Sequence, residues 1–292
     1  MLRLTIIFIL LQHLSSCARP NSDLNKPQIY GGINSTKSYP FFVGLHSVKN
    51  KFHVPIYCGA SQIAPGVVLT AAHCVEYHAE EFKNKYISDT KVDVSDLKLL
   101  FNVRRISDLN RAIKVDVKKI VLHDKYTFMG ANKFGYDLAL LFYNKNHTDS
   151  RIRNITLANV ETELNNFYSF HKVVGFGRTS KYPPSYPTTD YPDTLQETLV
   201  PRFDIETCAL NYKKFGTNIT DDYLCFGDER RDSCGGDSGG PLFTELSNGS
   251  NLLVGVTSGG PKDCGTLGLP GYFMRVSAFR QWIDETIRKN TL

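Results

Sequence analysis

Short apolar runs, several alternating with polar residues, recur along the chain at 40–47, 56–64, 67–72, 97–103 and 113–122. Further runs lie at 138–143, 172–177, 197–203, 241–245, 252–258 and 272–276. Each has the length of a strand and is bounded by turn-forming residues. Long helical patterns do not separate them, so the pattern predicts antiparallel barrels or sandwiches rather than parallel βαβ units. Only the last segment reads as a helix. Ser277 is placed to cap it, and Phe279, Trp282, Ile283 and Ile287 fall on one face. The expected class is all-β with a C-terminal α-helix, without internal repeats or a further domain.

The first residues have a different character. Met1-Leu2-Arg3 is a positively charged start, residues 4–11 are apolar, and Ser16-Cys17-Ala18 supplies small residues at a cleavage point. This is the pattern of a secretory signal over 1–18, shorter than the roughly 20 residues needed to span a bilayer. No second apolar stretch of that length follows, so no membrane partner is expected. Loss of this segment removes Cys17 and leaves six of the seven cysteines, an even number suited to an oxidising compartment. No CxxC pair is present, which favours structural disulfides over a zinc site. Five Asn-x-Ser/Thr sequons, at Asn34, Asn146, Asn154, Asn218 and Asn248, fit a secreted glycoprotein.

Charge changes the picture little. The net +5 is modest for 292 residues and implies no nucleic-acid partner. The basic residues Arg104, Arg105, Arg111, Lys114, Lys118 and Lys119 alternate with Val and Ile, as on the solvent face of strands. Residues 75–96 are rich in Glu, Lys, Tyr and Asp but lack a simple oxygen-ligand spacing, so no metal and no cofactor is expected.

The candidate chemistry is concentrated in three short segments. Asp232-Ser-Cys-Gly-Gly-Asp-Ser-Gly-Gly-Pro241 places Ser238 in a glycine-rich turn. Thr70-Ala-Ala-His73-Cys74 supplies a histidine, and Asp137-Leu-Ala-Leu-Leu141 an aspartate heading an apolar run. A serine hydroxyl needs a base to take its proton, and a histidine needs a carboxylate to fix its tautomer. An oxyanion formed on the substrate needs preformed donors, for which the amides of Gly236 and Ser238 are suited. Each segment alone has an ordinary reading as a turn, a core residue or a cap. Their order and flanking residues together point to a Ser-His-Asp hydrolase.

In these motifs the chain, from Ile29 to its end, resembles the chymotrypsin/trypsin-like serine proteases. The resemblance implies two six-stranded antiparallel β-barrels with the site between them. His73 would be the general base, Asp137 its orienting partner and Ser238 the nucleophile, with Gly236 and Ser238 as the oxyanion hole. It implies the pairings Cys58–Cys74, Cys208–Cys225 and Cys234–Cys264. Asp232 would lie at the base of the primary pocket and select Arg or Lys, with Ser233 beside it, Ser258 nearby, and Gly260 and Gly271 keeping the pocket open. Ile29-Tyr30-Gly31-Gly32 matches the segment freed on activation, whose ammonium would pair with Asp237. The chain then divides into a signal peptide (1–18), a short propeptide (19–28) and a protease domain (29–292). The implied protein is a secreted monomeric zymogen, with protein or peptide substrates, an activating protease and protein inhibitors as partners.

Two departures stand against the pattern. The family's Ser-Trp-Gly is here Ser258-Gly259-Gly260, which removes an apolar wall beside the cleaved bond. The residue before Ile29 is Gln28 rather than Arg or Lys, so a tryptic enzyme would not efficiently activate itself. The Tyr/Pro-rich stretch 181–192 falls where the family has a variable loop near the cleft. These departures keep open a second reading, a relative without catalytic activity that serves as a binding module.

Overall fold

The structure, a computed structural model, describes residues 29–49, 54–76, 94–127, 135–147, 149–166, 170–180 and 191–290. The signal and propeptide assignments, most of the 75–96 segment and nearly all of the Tyr/Pro-rich stretch lie outside these residues. In chain order the strands are β1 (Ile33–Asn34), β2 (Phe42–Ser47), β3 (Cys58–Ala64), β4 (Val67–Thr70), β5 (Leu97–Phe101), β6 (Ile113–Leu122) and β7 (Ala139–Tyr143). They continue as β8 (Thr156–Leu157), β9 (Phe170–Gly175), β10 (Gln196–Pro201), β11 (Tyr223–Phe226), β12 (Pro241–Glu245), β13 (Asn251–Gly259) and β14 (Gly271–Arg275).

The first half closes on itself in the order β2-β3-β4-β7-β6-β5. In a closed barrel side chains alternate between the interior and the outer face; β2, β3, β4 and β7 are covered on both faces, whereas β6 has its outer face in solvent. In β6, Ile113, Val115, Val117 and Ile120 are buried while Lys114, Asp116, Lys118 and Lys119 are exposed, with a register shift between Val117 and Lys119. The basic residues of this strand therefore occupy its solvent face, as the alternation predicts. Arg104 and Arg105 instead precede, and Arg111 ends, the 3-10 segment Ile106–Arg111. They are exposed but not on a strand.

The second half is a sheet in the order β1-β10-β9-β12-β13-β14-β11, with β8 added in parallel to β13. Its six longer strands are joined end to end less completely than those of the first barrel. β11 meets the continuation of β10 through a single bridge, Arg202 to Phe226, with the Phe203 amide donating to Cys225 (2.9 Å) and the Gly227 amide to Pro201 (2.8 Å). The disulfide Cys208–Cys225 ties the helix Ile205–Lys213 to β11.

That helix and another, Val160–Asn165, correct the expectation of a single helical segment. Both are too short for a 3.6-residue apolar period to emerge, yet each has a capping side chain. Asp204 accepts from the Thr207 amide, and Asn159 forms a reciprocal capping box with Thr162. A second correction concerns Ser277. It lies in the 3-10 turn Val276–Phe279 ahead of the C-terminal helix Arg280–Asn290, and its hydroxyl bonds the buried Glu163 carboxylate instead of capping. Arg275 donates to the same carboxylate at 2.8–2.9 Å, so this buried charge is paired. No helix among the described residues is long and apolar enough to cross a membrane.

The two halves meet through aromatic side chains. Phe243 of β12 packs edge-on against Phe41 (5.1 Å between centroids) and Tyr39 (5.5 Å), which precede β2. Phe243 is almost wholly buried, and one hydrophobic cluster runs through both halves. Phe243→Ala is expected to destabilise the protein by about 3–5 kcal/mol, the range for removing a core phenylalanine. Urea unfolding measures this, and a loss below about 1 kcal/mol would show that the seam carries little of the stability.

Candidate active site

The site begins with a buried carboxylate. Asp137 lies two residues before the start of β7 and has no solvent exposure, so its carboxylate oxygens need hydrogen-bond partners from the protein. Its Oδ1 accepts from the His73 amide (2.9 Å) and its Oδ2 from His73 Nδ1 (2.8 Å). The Ser258 hydroxyl, from β13 of the second half, also donates to Oδ2 (2.7 Å). His73 lies in the 3-10 turn Ala72–Cys74 directly after β4 and keeps some exposure. Burial opposes its protonation, but the charge and hydrogen bond of Asp137, with a further contribution from Glu76, outweigh that and raise its pKa.

Ser238 is held against β3, the neighbour of the strand β4 that leads into His73. Its carbonyl accepts from the Gly59 amide at 2.7 Å, and neighbouring Cys58 is disulfide-bonded to Cys74, next to His73. The turn around Ser238 uses the amides of Asp237, toward Cys234, and of Gly240, toward Asp237, while Gly239 donates to Thr257. Among the described residues no protein acceptor takes the amides of Gly236 and Ser238. Gly236 has φ 101°, a conformation only glycine adopts without strain, and it is this geometry that shapes the turn.

Asp237 is wholly buried and accepts from the amides of Gly177 (2.8 Å) and Cys234 (2.9 Å). It fits because Gly175 and Gly177 have no side chains: a Cβ on either would come within 2.3 Å of the carboxylate. Burial pushes the Asp237 carboxyl up to about 7, against its two amide donors and the Arg178 charge. Ile29 is also buried, among Phe226, Leu242 and Phe273, and the Tyr30 carbonyl accepts from the Asp232 amide (3.0 Å). Ile29 is in peptide linkage with Gln28 in this chain and so carries no ammonium to pair with Asp237.

Asp232 is likewise unexposed. Its oxygens accept from the amides of Gly271 and Gly265, each at 3.0 Å, and burial pushes its carboxyl up to about 8 despite them. Ser233 is buried beside it, and a Cβ at Gly271 would lie 2.5 Å from Ser233 Oγ. A Cβ at Gly260 would approach Gly271 Cα at 3.6 Å, so these two glycines face one another. The hydroxyl of Ser258, expected near substrate, is committed to Asp137. At Gly259 the direction of a Cβ runs into Tyr272, 2.3 Å from its Oη, which gives a physical reason for glycine at this position. The disulfides Cys58–Cys74, Cys208–Cys225 and Cys234–Cys264 are all present. Donor atoms of Cys58, His73 and Cys74 lie within 4.8 Å of one another, but both sulfurs are in the disulfide and offer no thiolate to a metal. The asparagines of all five sequons are exposed.

Two residues near the site carried no signal in the sequence. Glu76, three residues after His73, is buried, accepts from the Tyr126 hydroxyl (2.7 Å), and is pushed by burial up to about 7. Arg178 is buried beside the Cys234–Cys264 disulfide and donates to the Lys262 carbonyl (3.3 Å). Neither lies in a recognisable motif.

Residues 29–283 match the protein-family model described as Trypsin. The chain is 30% identical to a trypsin of Sarcophaga bullata, over 99% of this chain and 100% of that protein. It is 32% identical to Kallikrein-1 of Mus musculus, over 90% and 91% of the two chains. It is 31% identical to Phenoloxidase-activating factor 1 of Holotrichia diomphalia over 79% of this chain, but spans only 62% of that relative's length. The chain belongs to the trypsin family of serine proteases.

The carboxyls of Asp232 and Asp237 have a consequence for stability. An unfolded aspartate titrates near about 3.9. Between that value and the folded values of about 8 and about 7, the folded chain holds more protons than the unfolded one, so stability falls as pH rises. Asp232→Asn is expected to reduce this fall in the uncleaved chain between about pH 5 and about pH 8. Calorimetric Tm values across that range provide the check; an unchanged slope would mean that Asp232 is not protonated in the fold.

Proposed function

We propose that this member of the trypsin family is a secreted serine endopeptidase that cleaves after Arg or Lys. The observation that carries this reading is the buried Asp137 carboxylate bonded to both the ring and the backbone of His73, beside the Ser238 turn. Ser238 Oγ attacks the substrate carbonyl while His73 takes its proton, and Asp137 stabilises the resulting imidazolium. The amides of Gly236 and Ser238 receive the negative charge that develops on the carbonyl oxygen. His73 then returns the proton to the leaving amine, which leaves an acyl-enzyme. Water activated by the same histidine hydrolyses it.

Specificity follows from Asp232. An unpaired buried carboxylate is costly, and a long cationic side chain relieves that cost. Gly260 and Gly271 leave room for it, and Ser233 offers a hydroxyl. Asp232→Ser is expected to lower kcat/KM for an arginyl peptide by about 100- to 1,000-fold, the effect of losing one partner of a buried charge pair. A change below about tenfold would place the determinant elsewhere.

Activation is proposed to require cleavage after Gln28 by a different protease. The freed Ile29 ammonium would then give Asp237 the charge partner it lacks in the uncleaved chain. The leader over 1–18, the six cysteines and the exposed sequon asparagines support an extracellular site of action.

The test is to replace Gln28 with a residue an added protease accepts, release Ile29, and treat the product with a fluorophosphonate probe and a peptide library. Labelling at Ser238 with cleavage after Arg or Lys is the expected result. A correct Ile29 N-terminus with neither labelling nor turnover would overturn it in favour of the non-catalytic binding module. Incubation of the uncleaved protein alone tests the activation step, since rapid appearance of Ile29 would refute the need for a second protease.

A further inference from the structure

Tyr136, immediately before Asp137, has φ 58°. Left-handed backbone is disfavoured for a bulky residue, so something around it must hold it there. The carbonyl of Tyr136 accepts from the Leu138 amide (2.7 Å), closing a tight turn with Asp137 at its centre. The His123 amide in turn donates to the Leu138 carbonyl (2.9 Å), which ties this turn to the end of β6. The conformation of Tyr136 therefore sets the direction in which Asp137 leaves the backbone.

What holds Tyr136 is a group of rings drawn from three parts of the chain. The His123 ring stacks on it at 4.9 Å and 22°, and Phe279 meets it edge-on at 5.8 Å. His123 also contacts Phe279 (5.3 Å) and Trp282 of the C-terminal helix (4.7 Å). Lys125 Nζ lies 5.3 Å from the centroid of the Tyr136 ring. His123 Nδ1 accepts from the Lys125 amide (3.2 Å), and burial keeps the ring neutral by lowering its pKa to about 4. A neutral imidazole can lie in this apolar stack without an unpaired charge.

We propose that Tyr136 is a positioning residue for the catalytic pair: a brace of His123, Phe279 and Trp282 locks its left-handed backbone and thereby aims the Asp137 carboxylate at His73. The C-terminal helix thus acts on the site without touching it. This rests on the reading of His73 and Asp137 as catalytic residues, but the brace can be tested separately from turnover. The low-field proton resonance of His73 Nδ1 reports the bond to Asp137 whether or not substrate is cleaved.

The experiment uses the processed full chain and the variants Tyr136→Phe, Tyr136→Val, Trp282→Ala and Trp282→Phe. Tyr136→Phe and Trp282→Phe retain a ring and are expected to keep the resonance and kcat near wild type. Tyr136→Val and Trp282→Ala are expected to broaden or abolish the resonance and lower kcat about 10- to 100-fold, the scale of a small misplacement of a reacting group, with KM within about twofold. Because Asp137 raises the His73 pKa, the acid limb of kcat/KM should move to lower pH in these two variants. Should either fail to fold, Phe279→Leu, which keeps an apolar side chain of comparable size, is put to the same readings. An unchanged resonance and acid limb in folded Tyr136→Val or Trp282→Ala, or in folded Phe279→Leu where it replaces them, would overturn the proposal. An equal loss in the two phenylalanine variants would overturn it as well. Loss of the resonance in the valine and alanine variants of a chain that shows no turnover would sustain the brace while refuting the protease reading.

Discussion

The organisation of this protein around its site depends on satisfying one carboxylate that is shut off from solvent. Asp137 is unexposed, and its donors come from both halves of the molecule: His73 from the first barrel and Ser258 from the second. Removing a single donor from a buried carboxylate is expensive, so the Ser258 bond, which alone of the three crosses between the halves, ties them together at this point. The aromatic seam around Phe243 does the same by packing further away. Polar and apolar contacts therefore set the same interface, and the serine turn is built against it.

Two other buried carboxylates of the second half, Asp232 and Asp237, differ from Glu163 in accepting from backbone amides rather than from an arginine. Amides lower the cost of the charge without cancelling it, which is why burial still pushes both carboxyls well above the ordinary range. In the uncleaved chain neither carboxylate has a side-chain cation within ion-pair distance among the described residues, so the two share one physical state. Backbone spacing permits the arrangement. Asp237 lies where side chains at Gly175 and Gly177 would have to be, and Asp232 within 2.9 Å of where a Cβ on Gly271 would be.

The turn before Asp137 shows how a local penalty is overcome by packing. A non-glycine residue in left-handed backbone costs about 1–3 kcal/mol. Each ring pair contributes about 0.5–1.5 kcal/mol beyond its burial, and Tyr136 makes two such pairs, with His123 and Phe279, on the same scale as that cost. The contacts of His123 with Phe279 and Trp282 hold those two partners in place. The C-terminal helix is therefore more than a cover for the first barrel.

Much of this was legible in the residue order. Two-residue alternation located β6, and the apolar run at 138–143 located β7, because such patterns are local properties of a strand. The motifs around His73, Asp137 and Ser238 marked the candidate site because the chemistry demands those residue types together. Short elements escaped: Val160–Asn165 and Ile205–Lys213 are shorter than the window in which a helical period can be recognised. So did β1, β8 and β11, which are strands through pairing with distant partners rather than through their own pattern. Ser277 had the chemistry of a cap, yet tertiary packing gave its hydroxyl to Glu163, 114 residues away. By itself the sequence determined the strand pattern, the C-terminal helix and the family. Only the tertiary structure decided that Ser258 bonds Asp137 across 121 residues, that Glu76 and Arg178 lie buried beside the site, and that Tyr136 sits in a ring stack. The physical reason is that periodicity and motif act over a few neighbouring residues. Burial, and the charge state and backbone strain that follow from it, depend on which distant segments pack together.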